Sequence, residues 1–229
     1  MRYVDENTVT RDEHMQHQPP PGSDADSPFS LTDDEKRCLL GLARDAIVEA
    51  VARASAKSDD MHSQFVAAET LINLTEISAG VFVSLHINDA LRGCIGYLDA
   101  LQPLPAAVQD TAKAAALRDP RFDPVREDEL QDIDIEISVL MPLEIISNPE
   151  EIKIGRDGLM IHCGKQQGVL LPQVAVRAEF EAISFIEHTC LKAGLPKDAW
   201  KLPQCEVFRF KAEVFGEKSM KSLSNNSQP

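Results

Sequence analysis

Residues 80–97 read GVFVSLHINDALRGCIGY, and this stretch decides the fold of the chain. Every odd-numbered position from 81 to 87 is aliphatic, which is the two-residue period of a β-strand. Asn88-Asp89 follows, and both residue types favour tight turns. A second strand is then expected to run to Tyr97. Because so short a turn joins antiparallel strands, the stretch predicts a β-hairpin.

The predicted elements around this hairpin occur twice in the same order. A helix follows the hairpin and ends near Arg118, because Pro120 disfavours a helical conformation in the residue before it. A strand comes next, and two short strands, a helix and a strand then recur. The ranges of these later elements are 133–139, 159–163, 169–171, 181–193 and 205–215. This order predicts an α+β fold, with helices packed on mostly antiparallel sheets and two related β/α units.

The ordered part of the chain is expected to begin with a helix. Residues 32–35 read TDDE, which is a capping box, and apolar residues then recur at helical spacing to about Ser55. Residues 1–29 are rich in proline and poor in apolar side chains, which is typical of a disordered tail. Residues 216–229 are also polar. We therefore predict one domain over residues 30–215 between two tails.

The charge of the chain limits its partners. Lys and Arg number 23 against 37 Asp and Glu, so the net charge is −14. Nucleic-acid binding and docking on anionic lipid both need basic surfaces, so we expect neither partner. No apolar stretch is long enough to span a membrane, and the N-terminus lacks an apolar leader. The five cysteines have no regular spacing, so we expect reduced thiols and a cytoplasmic location.

The hexamer LRGCIG at residues 91–96 has the most unusual chemistry in the chain. Arg92 and Cys94 are two residues apart, so their side chains share one face of a regular strand. A guanidinium beside a thiol favours the thiolate and lowers the thiol pKa. Gly93 and Gly96 would let a ligand approach closely. The hexamer therefore fits a nucleophile or an anion site. The alternative is a small buried cysteine beside an arginine in a structural ion pair.

Residues 119–122 read DPRF and form a second candidate site. The segment follows a helix and contains a proline, and rigid loops of this kind often present binding groups. Arg121 and Phe122 are the binding candidates here. The alternative is a structural salt bridge from Arg121 to Asp119 or to Glu136.

Gln173 is the remaining binding candidate. It lies where a strand gives way to a helix at Pro172, and backbone N–H groups at such a junction favour anions; the alternative is a plain chain reversal. The chain lacks the glycine-rich nucleotide-binding loops and the His-Glu-x-x-His and Cys-x-x-Cys spacings. The sequence therefore identifies no metal site and no cofactor.

Six ordered segments together resemble the AMMECR domain family, called AmmeMemoRadiSam system protein A in prokaryotes. The resemblance spans residues 31–215, and the hexamer is its most specific segment. The segments are GVFVSL at 80–85, LRGCIG at 91–96, DPRF with PV at 119–125, IEISVL at 135–140, LLPQVA at 170–175 and CLKAGL at 190–195.

The resemblance implies one compact α+β body of two related units, with Arg92 and Cys94 lining a cleft between them. It also implies association with a Memo-like protein and a radical S-adenosylmethionine enzyme, whereas the activity of the family is not established. After PQVA the family continues with an acid and then Trp-Asp, but this chain has Arg177, Phe180 and Glu181. The reversed charge at Arg177 argues against any role that the acid carries in the family.

Two functions fit these observations about equally. In the first, the chain is an enzyme in which the Cys94 thiolate attacks a small anionic substrate. Arg92 and Arg121 would anchor that substrate, and Glu136 or Asp119 would act as acid or base. In the second, the chain is a non-catalytic module of the same system that binds a ligand or a partner, because no histidine close in sequence is placed to activate Cys94. A third function, regulation through nucleic-acid binding, fits least well because the net charge is −14.

Overall fold

The structure, a computed structural model, describes most of the chain. The tail predicted over residues 1–29 lies outside the described residues, except for the short strands β1 (Val4–Asp5) and β2 (Val9–Thr10). Of the tail predicted from residue 216, residues 221–229 lie outside them. The described ranges are 4–5, 9–10, 30–54 and 68–220. The chain divides into two compact units.

The first unit, described over residues 31–140 and 213–220, is built on an antiparallel sheet. β3 lies in the centre, with β4 on one side and β5 on the other. Helices α1 and α3 pack on this sheet, and the aliphatic side chains at positions 81, 83 and 85 of β3 and at the odd positions of β5 are buried. The elements are α1 (Asp33–Ala54), α2 (Ala68–Thr75), β3 (Val81–Ile87), β4 (Ala90–Tyr97), α3 (Leu104–Leu117) and β5 (Ile133–Leu140).

Local sequence explains where the helices of the first unit begin and how closely they pack. The predicted capping box is confirmed, because the backbone and hydroxyl of Thr32 donate to the Glu35 carboxylate and the Glu35 amide donates back to the hydroxyl. α3 has Pro105 in its first turn, where the missing N–H is not needed. Gly93 brings β4 against α3, since a Cβ at this position would overlap the Ala115 carbonyl oxygen.

A β-bulge sets the register of the hairpin. Pairing from the turn is regular as far as His86, but Arg92 is then an extra residue on β4. Because of this bulge, Cys94 lies opposite Ser84, whereas uninterrupted pairing would place it opposite Val83. A shift of one residue changes which side chains share a face of the sheet.

The second unit, which includes residues 141–212 and β2, has a sheet of the same topology. β7 lies between β8 and β9, and α5 packs on β7 and β8. β6 pairs with the other edge of β9, and β2 pairs with β8. The elements are β6 (Glu144–Ile146), β7 (Asp157–Cys163), β8 (Gln166–Leu170), α4 (Pro172–Arg177), α5 (Ala182–Lys192) and β9 (Cys205–Gly216), of which the last residues belong to the first unit.

Each unit therefore contains strand, strand, helix and strand in chain order, and the last strand pairs with the first strand of the hairpin. The predicted α+β fold with two related β/α units is confirmed. α2 and the three-residue strand β6 were not predicted. β6 is too short to show a period of its own, and α2 lies in a stretch that mixes polar and apolar residues.

Candidate functional site

Three side chains from neighbouring strands form a row across the sheet of the first unit. Cys94 on β4 lies opposite Ser84 on β3, and Ser84 lies opposite Glu136 on β5. The Ser84 hydroxyl donates a hydrogen bond of 3.1 Å to the Cys94 sulfur. Cys94 has 0% of its surface exposed, whereas Glu136 is half-buried. We call these three residues the polar row; it lies on the opposite face from Gly93, which contacts α3.

The DPRF segment holds the backbone of Cys94. One Asp119 carboxylate oxygen accepts the Cys94 amide at 2.8 Å, and the Arg121 guanidinium donates to the Cys94 carbonyl at 3.2 Å. Asp119 and Arg121 also bind each other through two guanidinium contacts of 2.9 and 2.7 Å. Together they satisfy both backbone groups of Cys94, as a neighbouring strand would. We call this Asp119–Arg121 pair the clamp.

The clamp also decides the charge of Asp119. Burial opposes ionisation of this carboxyl, but the hydrogen bonds from Arg121 and from the Cys94 amide outweigh it and hold the pKa of Asp119 below its usual range. Asp119 is therefore ionised at neutral pH, with both oxygens already accepting hydrogen bonds. This arrangement favours a positioning role for Asp119 over proton transfer.

Arg92 is directed to Glu129. Its guanidinium donates to the two carboxylate oxygens at 2.7 and 3.0 Å and to the Asp123 carbonyl at 2.9 Å. The hydrogen bonds from Arg92 lower the pKa of Glu129 to about 2, and the Arg126 amide adds to this effect. Arg92 thus fastens the loop after α3 to β4 through a bidentate, largely buried pair.

The other predicted site residues have packing roles or lie elsewhere. Gly96 accommodates the Phe82 ring, which a Cβ at this position would overlap. Phe122 lies half-buried with the Arg121 guanidinium carbon 5.4 Å from its ring centre. Gln173 and Arg177 belong to α4 of the second unit. The structure therefore brings Arg92, Gly93, Cys94, Gly96, Asp119, Arg121, Phe122 and Glu136 together in the first unit, and Gln173 is not among them.

Two residues of this site were missed from the sequence. Ser84 is a small polar residue between apolar neighbours in a buried strand, and that was a signal. Its partner could not be identified, because the bulge at Arg92 sets the register. Glu129 lies 37 residues from Arg92 among several other acids, and nothing in its local sequence distinguishes it.

The expectation that all five cysteines are reduced is wrong in this structure. Cys163, at the end of β7, and Cys205, at the start of β9, form a disulfide. They lie directly opposite each other with Cα atoms 4.2 Å apart. The spacing of the cysteines in sequence gave no sign of this pair, because tertiary pairing of two distant strands creates it. Cys38, Cys94 and Cys190 are buried and form no disulfide.

Over residues 30–54 and 70–220, no three His, Cys, Asp or Glu side chains are grouped as metal ligands. No helix in the described part of the chain has the length and apolar character that a membrane span requires.

Comparison with known proteins identifies the family. The AMMECR1 family model matches residues 40–215, which contain the polar row, the clamp and Glu129. The chain belongs to the AMMECR1 family. The resemblance inferred from the six segments is thereby confirmed.

Archaeal relatives of this AMMECR1-family chain are similar over most of their length. Protein MK0488 of Methanopyrus kandleri is 42% identical over 197 residues, which cover 82% of this chain and 90% of the relative. Protein TK0174 of Thermococcus kodakarensis is 40% identical over 201 residues, covering 82% and 93%. The crystal structure of the uncharacterised protein PH0010 from Pyrococcus horikoshii has a TM-score of 0.73 at 36% identity, over 83% of this chain and 95% of that one. PH0010 shares the fold, and the names of the three relatives state no activity.

Proposed function

We propose that this AMMECR1-family chain is a non-catalytic binding module of a cytoplasmic system that contains a Memo-like protein and a radical S-adenosylmethionine enzyme. One observation carries the proposal: the charged side chains of LRGCIG and DPRF are bound to Glu129, to each other or to the backbone of the first unit. A binding module needs a rigid surface more than it needs a reactive group. The resemblance to the AmmeMemoRadiSam family suggests the two partners.

The groups that an enzyme would use are engaged in structural contacts. Arg92 binds both oxygens of Glu129, and Arg121 binds both oxygens of Asp119. A guanidinium held in this way has few donors left for an anionic substrate. The Cys94 thiol has no exposed surface, so a substrate would reach it only after a rearrangement.

The loop between α3 and β5 is the surface that we assign to the partner. The clamp and the Arg92–Glu129 pair anchor this loop at both ends. Between these anchors, Asp123, Glu127 and Asp128 are exposed and Arg126 is the one exposed base. Because complementary charge steers association, this acidic loop fits a basic surface on a partner protein.

Co-elution of purified proteins tests the proposal. The full chain is mixed with the Memo-like protein and the radical enzyme of its own organism, and complexes are separated by size. We expect both the wild-type chain and Cys94→Ala to bind, because the thiol is not part of the surface. Asp123→Lys combined with Glu127→Lys should weaken binding about tenfold or more, whereas Glu150→Lys, an exposed reversal in the second unit, should not. Failure of the wild-type chain to bind either partner overturns the proposal.

A second function is favoured by the polar row itself. The Ser84 hydroxyl contacts the Cys94 sulfur at 3.1 Å and lies at the register position next to Glu136, so a hydroxyl that turned toward Glu136 would pass a proton from the thiol to a carboxylate. An enzyme of this type would open to admit a small anionic substrate. If the chain is such an enzyme, Cys94→Ala will fold and bind both partners normally while the pathway loses its activity. Full pathway activity in that variant excludes Cys94 as the nucleophile.

A further inference from the structure

A cavity of about 480 Å³ lies in the second unit, and one half of the disulfide is part of its wall. Ile186, Trp200 and Val207 contribute apolar surface to it, while Asn148 and Glu206 contribute polar groups. Cys205 lines the same cavity and packs against the core of this unit. Any change at Cys205 therefore acts directly on the shape of the cavity.

The disulfide differs from the other cysteines in its accessibility. Cys163 and Cys205 are half-buried, whereas the other three cysteines are buried. Cys163 is followed by an exposed turn in which Gly164 has a φ of +64°. Thiol–disulfide exchange requires that an attacking sulfur reach the bond. Within the described residues, this pair is therefore the one cysteine site that a reductant can reach without unfolding the protein.

The segment before Cys205 is held by local contacts. Residues 199–201 form a 3₁₀ turn, and the Cys205 amide donates to the Leu202 carbonyl at 3.0 Å. Leu202 is 45% exposed. The disulfide ties the end of this segment to β7 at the first residue pair of β9 with β7, so opening the bond would leave the segment held there by backbone hydrogen bonds alone, at the point where it forms the cavity wall.

We propose that Cys163 and Cys205 are a reversible redox site that controls the wall of this cavity. The reductant is a protein dithiol of the thioredoxin class. One of its thiolates attacks the disulfide and forms a mixed disulfide, and the other cysteine of the pair leaves as a thiolate. The second thiol of the reductant then attacks the reductant's own sulfur in the mixed disulfide and expels the remaining cysteine of the pair, so two electrons pass to the pair, the two protons that the dithiol loses balance the two that the pair gains, and the reductant leaves as a disulfide. Such a site reconciles a disulfide with a cytoplasmic location, where lasting disulfides are rare.

Differential alkylation of the full chain tests the redox site. The native protein is equilibrated with thioredoxin or with glutathione disulfide, quenched in acid, denatured and labelled, and the pair is then reduced and labelled with a heavier reagent. We expect Cys163 and Cys205 to change label together and to change back when the buffer is reversed. A pair that stays thiol in glutathione disulfide overturns the proposal. So does a disulfide that is reduced only after the protein unfolds, because it would then be a permanent covalent link.

Tryptophan fluorescence tests the effect on the cavity. Trp200 is the single tryptophan of the chain and lines the cavity, so its emission reports on the wall without any label. Reduction of the native protein should shift the emission to longer wavelength as the segment moves into water. Cys163→Ser, which leaves Cys205 in place, should show the shifted emission and no response to thioredoxin. Unchanged emission on complete reduction would show that the pair does not control the wall.

Discussion

The same position in the two units carries opposite chemistry. In the first unit, the residue after the helix-contacting Gly93 is Cys94, which begins the polar row. In the second unit, Gly168 contacts the backbone of α5 in the same way. The row that begins after Gly168 and crosses β8, β7 and β9 is apolar and consists of Val169, Met160 and Phe208.

This difference shows what the fold does not require. The second unit has the same strand order with an apolar row, so the topology needs no thiol, hydroxyl or carboxylate at these positions. Burying polar groups is unfavourable unless they are hydrogen-bonded. The first unit meets that condition with Ser84 and the clamp. The polar row therefore belongs to the sequence of the first unit and is not a requirement of the topology.

The largest loss in the free energy of unfolding is expected when the clamp of the first unit is broken. Asp119→Ala leaves the Arg121 guanidinium and the Cys94 amide without their shared acceptor, and we expect a loss of about 3 to 5 kcal/mol in the free energy of unfolding. Urea unfolding at pH 7 measures the loss. Asp128→Ala, which removes an exposed contact with Arg126, is the matched control and should change little. Similar stabilities for the two variants would contradict the role assigned to the clamp.

The next largest loss of stability is expected at the disulfide of the second unit, and under oxidising conditions it can be compared with the loss at Cys94 of the first unit. Cys163→Ser removes a covalent link across 42 residues, and we expect a loss of about 3 to 4 kcal/mol of unfolding free energy. Cys94→Ser replaces a buried thiol by a smaller hydroxyl that can still pair with Ser84, and about 1 kcal/mol is expected. Thermal unfolding followed by calorimetry ranks the two. The reverse order would mean that the buried thiol holds the fold together more than the disulfide does.

The smallest effect is the dependence of stability on acid. The pKa of Glu129 falls from 4.5 to about 2 on folding, so its contribution is present above pH 4.5 and is lost as the pH falls toward 2. About 1 kcal/mol is expected for this partly exposed pair. Urea unfolding between pH 2 and pH 5 follows it, and Glu129→Gln should flatten that part of the profile. An unchanged profile would place the acid sensitivity at another carboxyl.

Sequence reasoning reached the fold because the relevant signals are local. The alternating pattern and the Asn88-Asp89 turn predicted the hairpin, and the capping box at Thr32 predicted the start of α1. Two of the six segments of the family resemblance, LRGCIG and DPRF, contain Cys94 and the clamp. The open alternatives for Arg92 and Arg121 included ion pairs, and both arginines form them.

What sequence could not supply depends on contacts between distant residues. The bulge at Arg92 places Cys94 opposite Ser84, and no local pattern indicates an extra residue there. Glu129 and the Cys163–Cys205 pair became visible only once separate strands and loops were brought together. The prediction of Arg92 beside the thiol assumed a regular strand, whereas the guanidinium is bound to Glu129.

The most direct test of the account is the rate at which Cys94 is alkylated in the native protein between pH 5 and pH 9, measured by mass spectrometry. The account predicts that Cys94 reacts as slowly as the buried Cys38 and Cys190 at every pH, and quickly only when urea unfolds the chain. Fast alkylation in the folded protein, with a midpoint well below the usual value of about 8.5, would contradict it. Cys94 would then be an accessible thiolate, and the first unit would be an active site.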